Sequence, residues 1–174
     1  MTKLFHYTRG PIKKFQKGLI PKSELWSNQK LEKEFPWVKD KFSFCFLDSP
    51  VPREWIVNFS GEYWRKIRGR NGNLLLSFDV NELDEAYILD YSYLAKLGTG
   101  IKTLGFEGYF QSRIKLSRYS GGYELPECII ANVVSRDRLS ITGNINSGTE
   151  KYTLEDITKS AQIITEELNM YKNA

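Results

Sequence analysis

Between Lys41 and Leu47 the chain reads Lys-Phe-Ser-Phe-Cys-Phe-Leu, aromatic rings alternating with small side chains. A period of two marks a strand, because successive side chains leave a strand on opposite faces. Runs of the same kind recur along the sequence, and all of them are short. Lys3 to Thr8 is cut off by Arg9-Gly10-Pro11. Leu74 to Val80 follows the turn signal Asn71-Gly72-Asn73. Arg113 to Leu116, Glu127 to Val134 and Leu139 to Thr142 complete about six strands.

Helical spacing fills the gaps between them. Ile12 and Phe15 suit one helical turn closed by Gly18. Ser27 can cap a helix over Asn28 to Glu34 that Pro36 stops. Arg53 to Phe59 holds a turn or two, and Ser60 can cap a short helix bearing Tyr63, Trp64 and Ile67. A capping box at Thr153-Leu154-Glu155-Asp156 opens the most regular helix, with Ile157, Ala161, Ile164 and Leu168 at helical spacing. Asn81 to Leu97 carries both a helix start and a run of strand formers. Leu104 to Tyr123, rich in Tyr, Phe, Gly and Ser, reads as a long loop interrupted only by Arg113 to Leu116. The expected fold is α+β in one domain spanning residues 1–174.

Totals narrow the function classes. With 174 residues, 41% apolar and 14% aromatic, the chain is globular and long enough for a core. A net charge of +4 permits an anionic ligand or nucleic acid and selects neither. Cys45 and Cys128 lie inside apolar runs and read as buried free thiols. One histidine and two scattered cysteines argue against a zinc site. No apolar stretch approaches the roughly 20 residues of a membrane span, and no signal-peptide core is visible. A reduced cytoplasm is therefore expected, the chain's own or that of a cell it is delivered into. Phosphate loops, a G-x-G-x-x-G turn and a nucleophile elbow are missing; Gly98-Thr99-Gly100 lacks the third glycine.

Two places remain where chemistry can sit. His6 is the only histidine, and it stands in Lys3-Leu4-Phe5-His6-Tyr7-Thr8, close to the strand's end. Gly121-Gly122-Tyr123-Glu124-Leu125-Pro126-Glu127 runs from a glycine turn into Cys128-Ile129-Ile130. Pro126 biases Leu125 toward extended geometry and holds Glu127 at the mouth of a buried strand. A carboxylate there is costly unless paired or used; a solvated strand start is the plain alternative.

Leu-Phe-His-Tyr-Thr early in the chain and Pro-Glu-Cys-Ile-Ile late in it, with Phe-Ser-Phe-Cys-Phe between, resemble the His-Tyr-Glu branch of the ADP-ribosyltransferase family. The resemblance implies a split β-sheet core flanked by short helices, NAD as substrate and a macromolecular acceptor, protein or nucleic acid. It implies Glu127 as the catalytic carboxylate, with Glu124 as the other candidate. It gives His6 the adenosine ribose, the Tyr7 backbone the nicotinamide amide, and Thr8 and Arg9 the ribose and pyrophosphate. The middle tyrosine stays open among Tyr63, Tyr87, Tyr91, Tyr93 and Tyr109. A toxin, an effector and a phage-encoded modifier are all consistent with it.

The competing reading is a non-catalytic module that binds nucleic acid or protein. Arg65, Lys66, Arg68 and Arg70 form one basic group. Arg113, Lys115 and Arg118, with Tyr119 and Tyr123, form a basic–aromatic second. A solvated face and an aromatic loop packed on its own core are the structural alternatives for these two.

Overall fold

The computed structural model describes residues 1–25, 29–50, 52–70, 72, 74–95 and 102–142. The expected helix from Thr153, the Gly143–Gly148 loop and the Gly98–Gly100 break lie outside them, as does the Ser27 cap. Eight strands form one antiparallel sheet: β1 (Lys3–Thr8), β2 (Ser23–Glu24), β3 (Lys41–Leu47), β4 (Leu74–Asp79), β5 (Ala86–Asp90), β6 (Ile114–Lys115), β7 (Pro126–Ile130) and β8 (Ser140–Thr142). Their order is β6-β5-β7-β3-β1-β4-β8, with β2 paired to β3 off that path. The fold is α+β.

The alternation in β3 works as its sequence requires. Cys45 faces a core cluster with Leu4, Leu76, Phe78, Cys128 and Ile130. Phe42 faces a second cluster with Leu89, Ile129, Tyr109 and Phe110. Phe46 joins a third with Trp55, Ile56, Trp64 and Leu125. Both sheet faces are therefore covered, which is why the strand interior carries so little polarity. Helices α1 (Gln29–Glu34), α2 (Arg53–Val57), α3 (Glu62–Arg70), α4 (Ser92–Ala95) and α5 (Lys102–Gln111) gather around the second and third clusters. Cys45 and Cys128 are buried, reduced and directly opposite each other across β3 and β7. Among the described residues no helix is long and apolar enough to cross a membrane.

Two expectations need correction, and one ambiguity is resolved. Residues 104–111, read as loop, belong to α5. Phe106, Tyr109 and Phe110 sit at helical spacing and pack into the second cluster. Two glycines mask that pattern by lowering propensity. At Gly108 a Cβ would stand 2.4 Å from the Tyr93 ring, so α5 reaches α4 only because that side chain is absent. The ambiguous stretch resolves into a turn, β5 and α4, with Asn81 Oδ1 accepting from Leu83 N–H at 3.0 Å to make an Asx turn. Ser60, expected as a helix cap, lies with Phe59 in a left-handed kink (φ of 55° and 52°) between α2 and α3.

One feature of the sheet positions everything that follows. β1 pairs with β4 along its whole length, from Lys3↔Asp79 to Thr8↔Leu74. With β3 its register holds only Leu4↔Leu47 and Phe5↔Phe46. Beyond that point β3 pairs with β7 through Ser43, Phe44 and Cys45. The sheet thus has a seam between β1 and β3, closed at one end and opening toward His6.

Candidate functional site

Two cavities lie along the seam, and Tyr7 and Phe44 line both. The first, about 310 Å³, takes in His6, Thr8, Arg9, Lys14, Lys22 and Gly72. The second, about 330 Å³, takes in Glu127, Tyr91, Tyr109, Phe106, Ile67 and Glu24. Both fall at the lower end of ordinary ligand-site volumes. The alternation of side chains sets this division. His6 shares the face of Leu4 and lies opposite Leu76, whereas Glu127 shares the face of Ile129 and lies opposite Leu89. His6 and Glu127 therefore line neighbouring cavities with a common wall, not one open groove.

Glu127 is 8% exposed among aromatic side chains. Burial pushes its pKa up to about 7, against the opposing pull of a hydrogen bond from Tyr109. Tyr109 Oη donates to Glu127 Oε1 at 2.5 Å. Burial, and the neighbouring carboxylate, hold the Tyr109 phenol well above its usual value, so it stays a proton donor. Tyr91 stands edge-on to Tyr109, ring centroids 6.2 Å apart.

The strand that carries Glu127 is pinned where it begins. Asp90, at the end of β5, is 7% exposed. Its Oδ1 accepts from Ser92 N–H at 3.0 Å and Leu125 N–H at 3.1 Å, and its Oδ2 from Glu124 N–H at 3.3 Å. Tyr91 N–H donates to the Leu125 carbonyl at 2.9 Å, and Trp55 Nε1–H to the Pro126 carbonyl at 2.7 Å. One buried carboxylate thus fixes both the turn bearing Tyr91 and the approach to Glu127.

His6 is oriented by the seam. Its Nδ1 lies 2.6 Å from the Phe44 carbonyl. A carbonyl only accepts, so Nδ1 carries the proton and Nε2 is left as an acceptor. Burial lowers the imidazole pKa, Lys14 adds to this, and the Phe44 carbonyl opposes it. The ring is neutral at physiological pH. Tyr7 Oη donates to the Pro50 carbonyl at 2.5 Å.

Of the residues singled out in the sequence, His6, Tyr7, Thr8 and Arg9 line the first cavity, and Tyr7 and Glu127 the second. Glu124 is exposed and lines neither; its carbonyl accepts from Asn58 Nδ2 at 2.7 Å. Of the five tyrosines left open, Tyr91 and Tyr109 reach the Glu127 cavity. Tyr63 donates to the Ala95 carbonyl, Tyr87 lies under Arg113, and Tyr93 packs on Gly108.

Of the two basic segments, Arg65, Lys66, Lys115 and Arg118 are exposed, and Arg113 turns inward. Arg113 is held between Trp37 and Tyr87, its guanidinium carbon 4.4 and 3.7 Å from the ring centroids. Tyr119 and Tyr123 stack on each other at 4.9 Å and pack on the first core cluster. Lys66 pairs with Glu62 at 2.9 Å. Lys14, Lys22 and Asp90 had no motif to announce them, and Tyr109 stood only as one of five open tyrosines. The one legible signal was Asp90-Tyr91-Ser92, an aspartate two residues before a helix start. Comparisons with models of protein families, with curated proteins and with solved structures returned no match to this chain.

Proposed function

We propose that the chain is an NAD-dependent ADP-ribosyltransferase acting on a macromolecular acceptor. The observation that carries the reading is a charge contrast between two cavities with a shared wall. One is rimmed by Arg9, Lys14 and Lys22, and none of its described lining residues is acidic. The other is aromatic and holds Glu127. NAD has the matching polarity: a diphosphate at one end and a flat cationic nicotinamide ring at the other. Rings favour such a cation.

In the reaction the bond between nicotinamide nitrogen and ribose C1′ breaks, and nicotinamide leaves with the electron pair. Positive charge then builds on the ribose. Glu127, ionised, accepts a hydrogen bond from the ribose 2′-hydroxyl and stabilises that charge among aromatic side chains. Tyr109 holds the carboxylate in one orientation. An acceptor nucleophile closes on C1′ as nicotinamide leaves, and its proton passes to solvent. His6 Nε2 accepts from the hydroxyl of the adenosine ribose, and Arg9 faces the diphosphate.

Incubation with NAD labelled in its adenine half, alone and with whole-cell lysate, tests this directly. Wild type should release nicotinamide and label a macromolecule, and Glu127→Gln should be slower by on the order of 100-fold. Equal release by the two proteins would overturn the assignment. The competing view of a basic–aromatic binding module loses its second segment, where Arg113, Tyr119 and Tyr123 are spent on internal packing, and keeps the exposed Arg65 and Lys66 of its first.

A further inference from the structure

We infer that the segment between β1 and β2 docks the protein on the surface of an anionic phospholipid membrane, with lysines against the headgroups and exposed aliphatic side chains reaching the boundary below them. The inference does not rest on the transferase reading.

Charge is segregated along this chain. Residues 1–22 hold six lysines and arginines and no acidic residue, more than the net +4 of the whole chain. Five of the six, Arg9, Lys13, Lys14, Lys17 and Lys22, follow one another along a single strap, and all five are exposed. No ion pair among the described residues involves Lys13, Lys14, Lys17 or Lys22.

The strap is tied down from within. Phe15 is buried in the first core cluster, which leaves Ile12, Lys13 and Lys14 of the same short turn facing out, with Lys17 beyond them. Leu19 and Val134 exchange backbone hydrogen bonds of 2.8 and 3.0 Å. Gly18 makes the turn ahead of them with φ of 94°, and a Cβ there would stand 2.1 Å from the Val134 carbonyl oxygen. Lys22 N–H donates to the Phe42 carbonyl at 3.3 Å. The cations are thus presented from a fixed backbone, so docking orders side chains alone.

Aliphatic side chains among these cations select the partner. Ile12, Ile20 and Val133 are 38%, 40% and 52% exposed. The antiparallel bridge between Leu19 and Val134 sets Ile20 beside Val133, and Ile20 shares the rim of the first cavity with Lys14 and Lys22. Phosphate alone would satisfy the lysines. A nucleic acid also presents bases, which rings bind best, and the only ring between residues 9 and 22 is the buried Phe15. An anionic bilayer suits both parts of the patch: charged headgroups for the lysines, and hydrocarbon just below for isoleucine and valine.

Co-sedimentation of the full chain with vesicles tests this. One set is phosphatidylcholine alone, the other phosphatidylcholine with about one-third phosphatidylserine. A short DNA duplex and a single-stranded RNA are titrated in parallel at the same phosphate concentration. Expected is binding to the phosphatidylserine vesicles only, weakened by salt. Lys13→Gln/Lys17→Gln should bind about 30-fold more weakly, and Ile12→Ser/Val133→Ser several-fold more weakly. These four residues are exposed and line neither cavity, so both variants should melt like wild type. Absence of binding to phosphatidylserine vesicles, equal binding to phosphatidylcholine alone, full binding by either double variant, or tighter binding of DNA or RNA than of vesicles would overturn the inference.

Discussion

With its pKa at about 7, Glu127 is roughly half ionised at neutral pH, and both its chemistry and its cost follow from that. In the proposed transferase the ionised form does the work, so turnover should rise with pH through about 7 and level off above it. Tyr109→Phe removes the hydrogen bond that favours the ionised form and keeps the ring. The Glu127 pKa then climbs, and the acid limb of the pH–rate profile should move to higher pH with turnover recovered by alkali. An unmoved limb would remove Tyr109 from the site's chemistry. The cost appears as stability. The unfolded carboxyl ionises near its model value of 4.5 and the folded one near 7. Between those values unfolding releases a proton, so stability falls as pH rises. The shift corresponds to about 3 kcal/mol. Urea titrations of wild type and Glu127→Gln should show their stability difference move by about that much in the variant's favour from pH 4.5 to 8. A difference independent of pH would mean that the carboxyl is not buried as described.

Elements hold this residue in place through backbone groups rather than side-chain packing alone. Asp90 satisfies three N–H groups at the junction of β5, α4 and β7. Asp90→Ala would leave the buried Leu125 and Ser92 donors unpaired, each worth about 1–3 kcal/mol. Thermal melting should show a loss of several degrees or more, and turnover per folded molecule should drop with it. The sequence shows the regular parts of these elements well. β1 and β3 begin and end where the sequence pattern places them, at Lys3–Thr8 and Lys41–Leu47, because both are paired strands with packed faces. One strand is not visible in it and another is left undecided. Ser23–Glu24 is two polar residues whose strand character comes wholly from β3, and Ala86–Asp90 sits among conflicting propensities that tertiary pairing with β7 settles. α5 is hidden by glycines whose purpose is close packing, which no local reading reveals. His6 and Glu127 can be picked out from strand ends and turn residues. The aromatic and cationic partners around them cannot, since those depend on which strands meet across the seam.

At the scale of the whole molecule, Arg138, just ahead of β8, ties that strand's approach to the turn before β5. It donates from Nη1 and Nη2 to the two oxygens of Asp84 at 2.9 and 2.6 Å. Burial raises the Asp84 pKa, but the Arg138, Asn81 and Asn132 hydrogen bonds outweigh it and the net shift is downward. A carboxyl lowered in the fold lends stability that is present above its unfolded value of 3.8 and is lost as pH falls through the folded one. His6, also lowered, begins to cost stability earlier, as pH falls below the 6.5 of the unfolded imidazole. Arg138→Met strands a buried charge and should lower stability by about 3 kcal/mol in urea titration. Because the clasp touches neither cavity, the proposed NAD turnover per folded molecule should not change. The seam has a mechanical consequence. β6, β5, β7 and β3 make one plate and β1, β4 and β8 another, joined in register over two residue pairs. A dinucleotide lying across Tyr7 and Phe44 would rivet the plates together. Amide exchange along β1 and β3 should then slow in its presence far more than exchange within either plate, so occupancy would be readable as stiffness.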